Sequence, residues 1–172
     1  MDNALEEAQQ PGTLLTIAGG VMIVFYGLYA LMSALGLLFT CMGSGFAVLA
    51  MMDDTTSGVI QLGWSGWVLV FQLVGLAVYA GLAFAGWKVF QGGSALKELR
   101  ELDRVKSAMM LAAAGPVVGL IANFGISLFT FSLCGIVTYT VPQLVVLLIG
   151  VAAAYMVNQL LQNESVVASF TE

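Results

Sequence analysis

The chain has 172 residues, of which 60% are hydrophobic and only 9% charged, with five Lys and Arg, ten Asp and Glu, and no histidine. A soluble domain is roughly 25% charged, so this is the composition of an integral membrane protein with no room for a separate soluble domain beyond short tails and one loop. The missing histidine excludes His-ligated haem or metal and His-based nucleophilic pairs, and no basic footprint for nucleic acid is present.

The first residues, "MDNALEEAQQPG", lack the basic region of a secretory signal and place Asp2, Glu6 and Glu7 ahead of the first apolar run, so they read as a retained tail. Crossing about 30 Å of hydrocarbon takes about 20 predominantly apolar residues, and such runs occur at 14–39, 64–90, 108–133 and 141–161. Backbone facing lipid must satisfy its own hydrogen bonds, and period-2 alternation is absent, so the runs are helical. The expected fold is an all-α integral membrane protein, one membrane domain built as a four-transmembrane-helix bundle.

Residues 40–63 interrupt this pattern. They open with Gly43 and Gly45, run apolar from Phe46 to Met52 and break at Asp53 and Asp54. Seven apolar residues cannot span, so an outer segment lying in the interface or folding back on the bundle is expected. The alternative is five spans, with 14–52 turning near Ser33 to Gly36.

Every basic residue, Lys88, Lys97, Arg100, Arg104 and Lys106, lies in one stretch, "KVFQGGSALKELRELDRVK". Loops rich in Lys and Arg stay cytoplasmic, which places 91–106 and both termini inside a cell's inner membrane. Gly92 and Gly93 are expected to end the second helix, with Ser94 capping a short cytoplasmic amphipathic helix between the second and third spans. On it Lys97 with Glu101, Arg100 with Asp103, Glu101 with Arg104 and Asp103 with Lys106 fall at i,i+3 or i,i+4 spacing. Leu96, Leu99 and Leu102 give it an apolar side that meets headgroups or a partner.

Apart from Lys88 at the end of the second span, no charge enters the four spans, which argues against proton coupling or hydrolysis. Neutral polar residues remain: Gln72, Asn123, Ser127, Thr130 and Gln143. They read as interhelical hydrogen-bonding groups or, alternatively, as the lining of a polar path. Gly115, Gly119, Asn123 and Ser127 recur every fourth residue, and Ala77, Gly81 and Ala85 form a second small-residue stripe for close helix contact. Pro116 removes the hydrogen bond to the Ala112 carbonyl, and Pro142 suits a first helical turn. Cys41 and Cys134 follow the first and third spans on the same expected side, where a disulfide is open to them in an oxidising compartment.

The basic run, the early Gly115-Pro116 and the tail "NESVVASF", with Glu164, Val166 or Val167, and Phe170, resemble small uncharacterised bacterial four-transmembrane-helix domains. The resemblance covers less than half of the chain and implies a fold but no activity. Taken together, the residues point to a non-enzymatic accessory subunit without a cofactor, in contact with the lipid bilayer and with copies of itself or other membrane subunits. The rival is a small oligomeric channel or lipid-binding carrier.

Overall fold

A computed structural model describes the backbone over residues 2–50, 55–129 and 133–170, and side chains over 3–44, 59–60, 63–126 and 140–170. Five helices follow in order: α1 (Asp2–Ala50), α2 (Thr55–Lys97), α3 (Leu102–Phe129), α4 (Leu133–Leu161) and the short α5 (Glu164–Val167). Among the described residues, four helices are long and apolar enough to cross a membrane, the architecture of a multi-pass membrane protein. Each long helix packs on the next, and α1 closes the ring against α4. Large apolar side chains such as Val24, Phe39, Phe84, Met110 and Leu148 point outward, as a hydrocarbon solvent permits.

α1 differs from the expected tail and span. It is one helix of 49 residues, about 73 Å at 1.5 Å per residue, so the acidic first residues are helical and no turn interrupts Ser33 to Gly36. The five-span alternative fails on that continuity. The apolar residues up to Ala50 continue α1, although Met51–Asp54 lie outside the described residues.

Nor do Gly92 and Gly93 end α2, which runs through both to Lys97. Their role is close approach. A Cβ at Gly92 would strike the Cβ of Ala108 on α3, and one at Gly93 would strike the backbone and side chain of Thr16 on α1. Packing against both neighbours keeps the diglycine helical, because Ala108 and Thr16 fill the space from which water would compete for its backbone.

The stop comes six residues later and uses no glycine. Leu99 has φ 50°, its N–H donates to Leu96 O at 3.1 Å, and the Arg100 N–H donates to Ala95 O at 2.9 Å. These two bonds make a Schellman cap with leucine in the left-handed position that normally takes glycine. The conformation costs roughly 1–2 kcal/mol. Leu99 is 3% exposed, and burying a leucine side chain contributes about 1.5–3 kcal/mol, enough to offset that cost. Glu101 is also left-handed, φ 49°, and α3 starts behind it with Arg104 and Val105 N–H groups on its carbonyl. The expected continuous helix over 95–106 is therefore two helix ends meeting at a corner.

At the same end α5 is capped by Asn163, whose Oδ1 accepts from the Ser165 N–H at 3.2 Å. Val166 is fully buried, and Phe170 packs on the same core as Ala8 and Leu96. The tail motif is a structural latch.

Candidate functional site

Two heptad-spaced glycine pairs set the α1–α2 seam. Gly12 and Gly19 face Gly93 and Gly86, and each backbone lies where the other's Cβ would be: a Cβ at Gly19 would meet Phe90 N, one at Gly86 would stand 2.9 Å from Ile23 N, and one at Gly12 would stand 3.1 Å from Gly93 O. Glycine permits this contact because nothing larger than hydrogen separates the helices. Continuing the same period, position 26 on α1 and position 79 on α2 hold tyrosines, stacked with ring centroids 6.4 Å apart. The period of seven marks an antiparallel left-handed pair.

Tyr26 and Met22 reach across the bundle to α3. The third-span glycines receive them: a Cβ at Gly115 would lie 2.7 Å from Met22 Cε, and one at Gly119 would lie 2.6 Å from the Tyr26 hydroxyl. Gly115 and Gly119 are thus hollows for large side chains rather than points of backbone contact. One backbone contact does involve α3. Gly150 of α4 sits against the carbonyl of Ala112, the group that Pro116 leaves without its helical donor.

Around Gly119 the neutral polar residues converge. Gln143 Nε2 donates to Gly119 O at 3.1 Å, and the Tyr79 hydroxyl donates to Asn123 Oδ1 at 3.4 Å. The Tyr26 hydroxyl and Gln143 Oε1 are buried with no hydrogen-bond partner among the described residues. Nearer the other end, Thr40 donates to Gln72 Oε1 at 3.0 Å, with Gly36 against the Gln72 amide. All three amides therefore link separate helices. The side chain of Ser127 and that of Thr130 lie outside the described residues.

The second predicted stripe faces outward. Ala77 and Gly81 are exposed, and nothing stands within 4 Å of a Cβ placed on Gly81. The spacing of the stripe leaves contact within the chain and contact between copies equally open; the intrachain seam uses Gly86 and Gly93 on a different face of α2, and of the stripe only Ala85 packs on the core. Cys41 is exposed on α1, while the Cys134 side chain, and with it the Cys41–Cys134 pairing, lies outside the described residues.

The predicted interaction helix is redistributed. Leu96 and Leu99 are buried in the protein's own core and Leu102 is half-buried, so no leucine side remains for a partner. The stem of Lys97 lies along Gly12, and Arg100, Arg104 and Lys106 are exposed. Arg104 Nε pairs with Glu101 at 2.6 Å, whereas Arg100 pairs with Glu98 at 3.3 Å. Between this corner and Trp87 and Phe90 lies a groove of about 280 Å3. Among the described residues no three His, Cys, Asp or Glu side chains gather as a metal site would require.

Comparison of the chain with family models, with curated proteins and with solved structures returned no match. The packing residues that sequence spacing missed are Tyr26, Tyr79 and the glycines at 12, 19, 86 and 93. The signal for the glycines was the repeat of seven in each of two segments that face one another.

Proposed function

We propose that the chain is a non-enzymatic accessory subunit of a membrane complex, associating laterally through α2. The observation that carries this reading is the outward Ala77-xxx-Gly81 face. In a bilayer, helices associate by close packing at small residues, because lipid tails are as apolar as the side chains they replace. The four-helix ring closes without this face, so it remains available to a helix from a second copy or another subunit. By the excess of Lys and Arg, the α2–α3 corner and both termini lie on the cytoplasmic side of the inner membrane. A polar path within one chain finds less support, since Met22 and Tyr26 fill the hollows at Gly115 and Gly119.

The test is recovery of the chain in mild detergent, with native mass spectrometry of what accompanies it. A stoichiometric assembly that dissociates in Gly81→Ile, while the isolated chain keeps its helical content and melting temperature, supports the reading. Monomer alone at native expression, or an assembly indifferent to Gly81→Ile, overturns it.

A further inference from the structure

The groove at the α2–α3 corner combines three features that meet nowhere else among the described residues. The first is its depth. Trp67 and Trp87 lie on one continuous helix twenty residues apart, about 30 Å at 1.5 Å per residue, which is the thickness of the hydrocarbon core. Tryptophan collects at both interfaces, so Trp87 stands at headgroup level, as does the groove it lines. The second is an aromatic wall, in which Trp87 and Phe90 stack 5.9 Å apart at 9°. The third is the opposite wall, where Arg100 and Arg104 stand beside Glu98 and Glu101.

The four charges are held there by backbone, because the left-handed residues Leu99 and Glu101 turn the chain so that both pairs border one groove. Their mutual ion pairs are exposed, with side chains roughly half to two-thirds accessible, and such pairs are worth only about 0–1 kcal/mol. A ligand can therefore share them at little cost. Arg104 spends Nε on Glu101, which leaves its two terminal nitrogens outside that pair.

We infer that this groove binds the headgroup of a zwitterionic glycerophospholipid bearing a phosphate diester and a primary ammonium. The guanidiniums of Arg100 and Arg104 take the phosphate oxygens, as planar forked donors do. The carboxylates of Glu98 and Glu101 take the ammonium, which offers three N–H donors. The Trp87–Phe90 wall lies beside the glycerol and the first methylenes. Two charges of each sign select against the alternatives. A purely anionic headgroup leaves both carboxylates facing it without a cation, and a quaternary ammonium has no N–H to donate to them. The inference goes beyond the subunit reading and holds whether or not α2 has a partner.

The test uses the full chain in mild detergent, titrated separately with phosphatidylethanolamine, phosphatidylcholine and phosphatidylglycerol of identical acyl chains and read by native mass spectrometry. One retained phosphatidylethanolamine per chain is expected, bound roughly tenfold more tightly than the other two, equivalent to about 1.4 kcal/mol. Arg100→Gln with Arg104→Gln removes the preference, while Lys106→Gln, outside the groove, leaves it. Glu98→Gln with Glu101→Gln moves the preference toward phosphatidylglycerol, and this variant carries the test if the arginine variant does not fold. Equal retention of all three lipids by the natural chain, a preference for phosphatidylglycerol, or a preference indifferent to both double variants overturns the inference.

Discussion

At the basic end of the α1–α2 pair the two backbones touch, whereas one heptad beyond Gly19 and Gly86 the same helices meet through tyrosine rings. The difference is made by four positions in one repeat. Gly19 opposite Gly86 leaves no side chain between the helices, and Tyr26 opposite Tyr79 inserts two rings. The aromatic layer needs space that α1 and α2 alone do not provide, and α3 provides it at Gly119, as Gly115 does for Met22. Glycine thus does opposite work in two regions: in the α1–α2 seam it draws backbones together, and in α3 it makes room for bulk. A small-xxx-small pattern read from sequence cannot separate these roles, because both demand the same residue.

Substitutions at the two kinds of glycine should break the comparison in different ways. The largest effect is expected in the seam. Gly19→Ala or Gly86→Ala places a methyl group against backbone, which cannot rotate away, so a loss at the upper end of the 1–3 kcal/mol typical of overpacking is expected in reversible detergent unfolding. Gly81→Ala, with open space at its Cβ, serves as the control and should cause no loss, gaining about 0.5–1 kcal/mol from the lower chain freedom of alanine. Equal losses at positions 19 and 81 would show that the seam is not the tight contact.

In α3 the neighbour is a side chain, and the effect should be smaller and reversible by a second substitution. Gly119→Ala should cost about 1–2 kcal/mol because its methyl group meets the Tyr26 hydroxyl and ring edge. Tyr26→Phe alone removes a buried hydroxyl that has no partner among the described residues, so it should be neutral or stabilising. Combined with Gly119→Ala it should recover part of the loss, the remainder reflecting ring carbons that stay at about 3 Å. A double-mutant cycle with no coupling would separate Tyr26 from Gly119. Below this in size stands Asn123→Leu, which removes the acceptor of the Tyr79 hydroxyl and should cost about 0.6 kcal/mol, the usual worth of an interhelical hydrogen bond in a bilayer.

Helix number, approximate span positions and the polar amides were legible because hydrocarbon imposes length and neutrality on each helix directly. What lay between helices was not. The stripe at Ala77 and Gly81 has the same spacing as a buried one, yet faces outward, because the side of a helix that meets its neighbour depends on pairs such as Gly19 with Gly86 that lie 67 positions apart. Gly92 and Gly93 misled for a related reason. In water a diglycine is a helix stop, but here Ala108 and Thr16 occupy the space beside it, and the packing holds the helix straight through. The stop fell at Leu99, where no local signal exists, since burial of the side chain rather than backbone preference makes the left-handed turn favourable there. The charged corner was legible as a set of residues and illegible as a groove.

Glu101 sharpens that last point, because it shares the left-handed conformation of Leu99 without the burial. Glu101→Gly relieves a strain of roughly 1–2 kcal/mol and gives up one exposed pair with Arg104 worth about 0–1 kcal/mol. Glycine also gains chain freedom in the unfolded state, which takes back about 0.5–1 kcal/mol. The net change should be a small gain, a few tenths of a kcal/mol, seen as a slightly raised melting temperature in detergent. Leu99→Gly relieves the same strain but uncovers the core, so it should destabilise the chain, and opposite signs at two residues with the same φ would establish burial as the force that sets the corner.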